Sequence, residues 1–252
     1  YNAAFVTANG GTFPLAFAAL KASIAAGTAY FNIHSSTFGG GEIRGFLALP
    51  GASGDPHIVG ANGEKFDFDG VANGVYSLFS SPVFAVNMLL SPIGPAERYM
   101  TEMGVLYRGA SISFDAWAVA SRRDELTKHF ESLGANVTFD GKWSMSIAFC
   151  ENHVVSFSSM HSYAEFNGSS INYFDVAVSV PGCHDAYSGA LGQTYQCRYV
   201  LNKTPFGEWT REREESFRVA NLTSPSGSYS VDADCAQENE FGGDSILGGK
   251  SA

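Results

Sequence analysis

Three segments of the chain alternate large apolar residues with small or polar ones: VFAVNMLL (83–90), WSMSIAF (143–149) and INYFDVAVSV (171–180). Successive side chains of a strand point to opposite faces, so this period of two is typical of half-buried antiparallel strands. The residues predicted to face the core are Phe84, Val86, Met88, Leu90, Trp143, Met145, Ile147, Phe149, Phe174, Val176, Val178 and Val180.

Two other segments have a helical pattern. Residues 13–26 follow Thr12, which can cap a helix, and end before Gly27, which favours termination. The segment SRRDELTKHFESLG (121–134) ends at Gly134 in the same way. The pattern as a whole therefore predicts an all-β fold, an antiparallel sandwich or barrel with two short helices.

Residues 1–50 are predicted to form a small unit of their own. After the first helix, TAYFNI (28–33) and EIRGFLAL (42–49) are typical of strands. The stretch PGASGDP (50–56) is rich in Pro, Gly and Ser, which predicts a linker over residues 51–56 at a domain boundary. A β domain would then cover residues 57–236, followed by a tail over 237–252.

Composition and charge exclude some functions. The formal net charge of −10 argues against nucleic acid and against an anionic membrane surface, because both require a cationic protein face. No apolar run reaches the roughly 20 residues that a membrane-spanning helix needs. The mixed-charge segment EWTREREES (208–216) is interpreted as a solvated face. Since the chain begins with Tyr1, we expect it to be processed or cut from a longer precursor.

Cysteines and glycosylation sequons favour a secreted protein. Four widely spaced cysteines, Cys150, Cys183, Cys197 and Cys235, fit two disulfides, with buried free thiols as the alternative. Of the three pairings, Cys150–Cys183 with Cys197–Cys235 is preferred because it closes sequential loops. Asn-x-Ser/Thr sequons occur at Asn136, Asn167, Asn202 and Asn221.

The segment GDPHIVGANGEKFDFDG (54–70) has the most unusual chemistry in the chain. Phe66 and Phe68 alternate with Asp67 and Asp69, so the rings would enter the core and the carboxylates would face out. One hypothesis is therefore a structural turn. The other is a calcium site using Asp55, Asp67 and Asp69, although their spacing is not that of an EF-hand.

No motif indicates catalysis. The sequence contains no HExxH, GxSxG or Gly-rich phosphate loop. Cys183, His184 and Asp185 are adjacent, but neighbouring residues on an extended chain point in opposite directions, and Cys183 is a disulfide candidate. We therefore expect a protein that is not an enzyme.

Residues 26–47, AGTAYFNIHSSTFGGGEIRGFL, resemble the end of the CHRD domain, the repeat first named in chordin. That family typically closes with an aromatic strand running into Asn-Ile/Val-His, a turn, and Gly-Gly-Glu-Ile-Arg-Gly. The resemblance covers only the last third of such a domain, and it implies that the earlier strands are missing from this chain.

Residues 54–236 resemble von Willebrand type D domains and the plant root-cap proteins. The segments that carry the resemblance are GDPHIVGANGEKFDFDG, SGALGQTYQ (188–196) and YSVDADC (229–235). The acidic residues that follow the Gly-rich motif in calcium-binding D domains are absent after GALGQTYQ. Both families are extracellular and neither is known chiefly for catalysis, which implies a structural or binding role.

The leading hypothesis is a non-enzymatic secreted glycoprotein, located outside the cell or at its surface, that polymerises with itself into a fibre or matrix. An incomplete sheet in residues 1–50 would supply the contact through Tyr30, Ile33, Ile43, Phe46 and Leu47. The alternative is an extracellular binding module for glycans or calcium. A hydrolase is the least favoured, and no cofactor other than calcium is expected.

Overall fold

The structure is a computed structural model that describes residues 2–25, 29–33, 36–37, 43–46, 49–93, 97–150, 152–163, 170–202 and 205–225. The chain divides into two compact units, Tyr1–Leu49 and Pro50–Ala252.

The first unit contains α1 (Ala3–Ala8), α2 (Phe13–Ala25), β1 (Tyr30–Ile33) and β2 (Ile43–Phe46). Helix α1 begins where the Asn2 side chain accepts a hydrogen bond from the Ala4 N–H at 2.8 Å, as a capping residue does. Strands β1 and β2 pair antiparallel and form a two-stranded sheet. Helix α2 and both strands lie within the segments that their sequence patterns predicted, whereas α1 is a second helix that the sequence did not predict.

The second unit contains two antiparallel sheets. The strands of the seven-stranded sheet are β3 (Gly51–Ser53), β4 (His57–Val59), β5 (Lys65–Asp67), β10 (Asn136–Asp140), β11 (Ser144–Cys150), β12 (His153–Tyr163) and β13 (Ser170–Ser179). They lie in the order β10-β11-β12-β13-β3-β4-β5. The four-stranded sheet, in chain order, consists of β6 (Gly74–Ser80), β7 (Phe84–Pro92), β8 (Arg98–Tyr107) and β9 (Ala110–Asp115). The predicted all-β antiparallel fold is therefore confirmed.

Rings from both sheets form the core. Phe114 of β9 makes edge contacts with Phe157 and Phe174 of the larger sheet at centroid distances of 5.3 and 5.8 Å. Phe84 of β7 stacks on Phe149 of β11 at 4.5 Å. Ten of the twelve residues predicted to face the core are buried, and Trp143 and Val180 are partly exposed.

The second unit contains more helix than the sequence indicated. The predicted helix is α4 (Arg123–Ser132), which buries Leu126 and Phe130, one turn apart on the same face. Three shorter helices, α3 (Ala118–Ser121), α5 (Cys197–Val200) and α6 (Arg211–Glu215), were not anticipated. They are too short to show an apolar period, so their patterns carry little signal.

The linker predicted over residues 51–56 is wrong, because Gly51–Ser53 is a strand inside the seven-stranded sheet. Ala52 pairs with Val176 of β13 and with Ile58 of β4. A Cβ atom on Gly51 would lie 2.2 Å from the Val176 carbonyl oxygen. The small residues that looked like a flexible linker are needed here because the neighbouring strand approaches so closely.

The outer edge of β6 is covered by two segments from the end of the unit. Ser80 and Ser188 exchange two backbone hydrogen bonds of 2.8 and 2.9 Å. Further along the strand, the Val219 N–H donates to the Val75 carbonyl at 3.0 Å. Val219 belongs to residues 217–225, which we call the C-terminal strap. Covering an edge in this way removes a template for unwanted strand pairing.

The C-terminal strap also crosses the face of the four-stranded sheet opposite to the core. The buried Asn87 side chain donates to the carbonyls of Leu222 and Ser224 at 2.9 and 2.8 Å. Gly104 lies beside Asn87 in the sheet, and a Cβ atom there would lie 1.9 Å from the Leu222 carbonyl oxygen. Strand β7 is consequently buried on both faces.

Candidate functional site

The segment GDPHIVGANGEKFDFDG forms the hairpin of β4 and β5 and the turn that follows it. Phe68 is buried and Phe66 is partly buried, whereas Asp67 and Asp69 are exposed. The rings and carboxylates thus lie on opposite faces, as their alternation predicted.

The three candidate calcium ligands each have a different environment. Asp55 Oδ1 accepts a hydrogen bond from the Arg98 N–H at 3.0 Å, and Asp67 Oδ1 lies 2.6 Å from Nδ1 of His57. Asp69 is exposed in the loop between β5 and β6. Within the part of the chain that the structure describes, no group of three or more His, Cys, Asp or Glu side chains is arranged to hold a metal ion. Calcium binding therefore gains no support from the positions of these carboxylates.

Glu214 in helix α6 lies in the interior of the second unit, with 3% of its surface exposed. Its carboxylate accepts hydrogen bonds from the N–H groups of Asp69 and Gly70 at 3.0 and 3.1 Å, and from Nε1–H of Trp209 at 2.7 Å. The interpretation of EWTREREES as a solvated face is therefore wrong for this residue. A buried carboxylate is tolerated here because three donors replace its water.

The neighbouring Arg213 connects α6 to the Gly-rich segment. Its Nε and Nη2 both donate to Oε1 of Gln193, at 2.9 and 2.6 Å. Its guanidinium carbon also lies 4.2 Å from the ring centroid of Phe206, within cation–π range. We call Arg213 and Glu214 together the α6 clamp. The clamp holds together the two segments that carry most of the D-like resemblance, and its polar groups serve the fold.

The cysteines are paired differently from the preferred prediction. Cys183 forms a disulfide with Cys197, 14 residues further along the chain, so the Cys150–Cys183 and Cys197–Cys235 pairing is wrong. Cys150 also forms a disulfide, and Cys235 lies outside the described residues. The Cys183–Cys197 bridge closes the loop that carries the Gly-rich segment. The preferred pairing joined the first cysteine to the second and the third to the fourth. It missed that residues 183–197 fold back against β6, which brings the second and third cysteines together.

The Cys183-His184-Asp185 triplet contains no free nucleophile. The Cys183 sulfur is consumed by its disulfide. His184 Nδ1 accepts a hydrogen bond from the Ala186 N–H at 2.9 Å, and Asp185 Oδ1 accepts one from the Cys197 N–H at 3.1 Å. These contacts shape the loop.

Three of the four sequons have exposed asparagines: Asn136, Asn202 and Asn221. Asn136 begins β10, which is the terminal strand of the larger sheet. Asn221 lies in the C-terminal strap, where its side-chain oxygen accepts from the N–H and hydroxyl of Thr223, both at 3.0 Å. Asn167 lies outside the described residues. These positions are sterically open to a glycan, and their occupancy stays a prediction.

The first unit exposes several large apolar side chains. In helix α2, Phe13, Leu15 and Phe17 are 64%, 54% and 51% exposed, and Tyr30 in β1 is 48% exposed. Ala16 between them is buried. We call Phe13, Leu15, Phe17 and Tyr30 together the N-terminal apolar surface; Leu15 projects from a different side of α2 than Phe13 and Phe17, because residues two apart in a helix do not face each other.

The other residues of the predicted assembly contact are placed by their backbones. Ile33 pairs with Ile43, and Tyr30 pairs with Phe46, at the two ends of the β1–β2 ladder. Leu47 lies outside the described residues. The sequence did not indicate the contribution of α2, although its almost uniformly apolar sequence was a usable signal.

A second exposed aromatic surface lies on the second unit. Trp117, between β9 and α3, is 53% exposed and lies 5.2 Å from the ring of Trp143, measured between centroids. The Nζ of Lys142 lies 4.7 Å from the Trp143 ring centroid. We call Trp117, Trp143 and Lys142 the tryptophan surface. Sequence reasoning assigned Trp143 to the core because it continues the alternation of β11, but it lies just before the strand begins.

The carboxyl group of Asp175 has a raised pKa. Burial raises the pKa of Asp175 in β13, and a hydrogen bond from the Gly54 N–H at 3.0 Å partly offsets this shift. Its hydrogen bond joins β13 to the turn after β3, so the group is structural.

A comparison with family models finds no match for this chain, and a comparison with curated proteins finds none. No described helix is long and apolar enough to cross a membrane. The resemblances to CHRD and D-like domains therefore remain predictions that rest on their quoted segments.

Proposed function

We propose that this protein is a non-enzymatic secreted glycoprotein that assembles with itself into an extracellular fibre or matrix. The observation that carries the proposal is the N-terminal apolar surface, which belongs to a small unit whose described residues form a two-stranded sheet. The predicted inter-subunit β contact would involve β1 and β2, and α2 would contribute apolar area beside them.

The sequence of α2 favours a buried environment. FPLAFAALKASIA contains one charged residue, Lys21, and a helix that is apolar on most sides is normally covered by protein. A two-stranded sheet is marginally stable alone and becomes stable when more strands or a packing partner are added. A second copy of the chain would satisfy both needs.

The exposed area is large enough to matter for association. Burying a Leu or Phe side chain fully contributes about 1.5–3 kcal/mol, so covering the exposed half of Leu15 would contribute about 1 kcal/mol. A contact on one side of α2 would cover either Leu15 or the Phe13–Phe17 pair, so it would contribute about 1–2 kcal/mol per copy. A repeated head-to-tail contact of this kind extends into a filament unless its rotation closes a ring.

Secretion is supported by the covalent chemistry of the second unit. Disulfides persist in oxidising compartments, and Cys150, Cys183 and Cys197 are all bonded. The exposed sequon asparagines are compatible with glycosylation on the same route.

The test replaces Leu15 by Asp in the full glycosylated chain. The control is Leu201→Asp, because Leu201 is a leucine of similar exposure (51%) in the second unit. Sedimentation velocity and negative-stain microscopy should show assemblies for the wild type and for L201D, and a shift to monomers for L15D. If L15D assembles as the wild type does, or if the wild type is monomeric at all concentrations, the proposed function is wrong.

A further inference from the structure

The tryptophan surface is held in place by the surrounding backbone. Asp115 Oδ1 accepts the Ala118 N–H at 2.8 Å, and the Trp117 carbonyl accepts the N–H groups of Ala120 and Ser121, both at 3.1 Å. These bonds fix the bend between β9 and α3 from which the Trp117 ring projects.

The Trp143 side of the surface is fixed as well. Its carbonyl accepts the Ser159 N–H of β12 at 2.7 Å. The preceding hairpin turn is held by Arg123, whose guanidinium donates to the Gly141 carbonyl and lies 4.3 Å from the Phe139 ring centroid. The backbone that carries both indoles is therefore fixed, and the rings lie beside each other, which lowers the entropic cost of binding a ligand.

Packing of the core does not account for the exposure of Trp117. Its neighbours Ala116, Ala118 and Val119 are buried and close this end of the sandwich, while the indole remains in water. An exposed, rigidly held aromatic side chain is a common feature of binding surfaces.

The size of the surface limits what it can bind. An aromatic side chain has about 150–250 Å² to bury, Trp117 is 53% exposed and Trp143 is partly exposed, so the two indoles offer no more than about 250 Å², well below the roughly 800 Å² per partner of a stable protein interface. A single sugar ring or a disaccharide fits this area. The negative face of an indole attracts the weakly positive C–H groups on the flat side of a pyranose.

The charges around the indoles favour a neutral ligand. Lys142 and Arg123 at the hairpin offset Asp140 there and Asp115 beside Trp117. The exposed Lys142 and Asp140 also offer a donor and acceptors for sugar hydroxyls. A few polar groups beside an apolar platform are what orients a ligand in such a site.

We propose that the tryptophan surface binds a neutral pyranose of an N-linked glycan carried by a second copy of this chain. The source follows from the exposed sequon asparagines Asn136, Asn202 and Asn221, which would place such glycans on every copy. This inference rests on the proposed function, because assembly brings the glycans of one copy next to the indoles of another.

The experiment uses the full chain after enzymatic removal of its N-glycans, with the released oligosaccharide as the probe. Binding is followed by tryptophan fluorescence, which reports on Trp117 and Trp143, and by calorimetry. We expect a saturable change for the wild type, and about tenfold weaker binding for Trp117→Ala, from an aromatic contact worth up to about 1.5 kcal/mol. Leu201→Ala, which removes an exposed apolar side chain elsewhere, should bind as the wild type does.

Three results would overturn this inference. They are the absence of any releasable N-glycan, binding of W117A with wild-type affinity, and saturation by plant-type cellulose oligosaccharides but not by the released glycan. A thermal unfolding curve of W117A that matches the wild type would show that a loss of binding is not a loss of fold. The absence of a releasable N-glycan would also refute the glycoprotein part of the proposed function, whereas the two binding results are independent of the Leu15→Asp assembly test, so the glycan inference can fail while the assembly proposal stands.

Discussion

Removing the acceptor atoms of Glu214 should destabilise the second unit more than any other single charge change in α6. In Glu214→Ala, the N–H groups of Asp69 and Gly70 and the indole N–H of Trp209 lose their acceptor. A buried donor left without a partner costs about 1–3 kcal/mol. Asp69 and Trp209 can partly reach water, so we expect a total loss of about 3–6 kcal/mol in the free energy of unfolding.

The isosteric change Glu214→Gln separates hydrogen bonding from packing. Its amide oxygen can still accept from Asp69 and Trp209, but its NH₂ group would face the Gly70 N–H, donor against donor. We therefore expect a loss of about 1–3 kcal/mol without a cavity.

The control is Glu212→Gln, because Glu212 is an exposed carboxylate in the same helix. It should change stability by no more than about 0.5 kcal/mol. Urea unfolding followed by circular dichroism and by tryptophan fluorescence gives the free energies and midpoints. If E214Q is as stable as E212Q, the three hydrogen bonds do not stabilise the fold as argued.

Three further outcomes can be checked on the same material. Gly104→Ala should destabilise the fold and expose the C-terminal strap to proteases, because its Cβ would collide with a strap carbonyl; unchanged proteolysis would contradict this. Burial raises the folded-state pKa of Asp175 above its unfolded value. Ionising this carboxyl therefore lowers the free energy of unfolding; the loss is absent below the unfolded pKa, grows as pH rises toward the folded pKa, and is complete above it. Asp175→Asn should therefore stabilise the protein at pH 7 and have no effect near pH 2, and equal effects at both pH values would refute the assignment. Non-reducing peptide mapping should show a Cys183–Cys197 peptide and Cys150 in a second disulfide, and a free thiol at any of these three cysteines would contradict it.

The strands were predictable because most of them bury one face. Met145, Ile147 and Phe149 follow a strict alternation and are all buried, since the other face of β11 carries small residues. Strand β7 is an exception, because its second face is covered by the C-terminal strap. The sequence around Asn87 gives no signal that the carbonyls of Leu222 and Ser224 will accept its hydrogen bonds.

The candidate sites were harder to predict, because the burial or exposure of their side chains depends on contacts with segments distant in the sequence. Glu214 lies in a highly charged segment, and its burial is decided by donors that precede it by more than 140 residues. Trp143 continues an apolar alternation, yet the position just before β11 leaves its ring at the surface. Local patterns identify which faces are apolar, and they do not identify which segment will cover them.

The position of β3 in the middle of the larger sheet has a consequence for biosynthesis. Gly54 and Asp175, joined by a hydrogen bond, are 121 residues apart, and Asp69 and Glu214 are 145 residues apart. Contacts this distant in sequence slow folding, because a long loop must close before they form. On the ribosome, the β3–β5 segment therefore waits without its β13 neighbour while about half of the chain is made. A chain arrested before β13 would display the β3–β5 segment without this neighbour, so the synthesis of β13 is a step that protects the nascent chain from aggregation, and α6 later adds the Glu214 hydrogen bonds to Asp69 and Gly70.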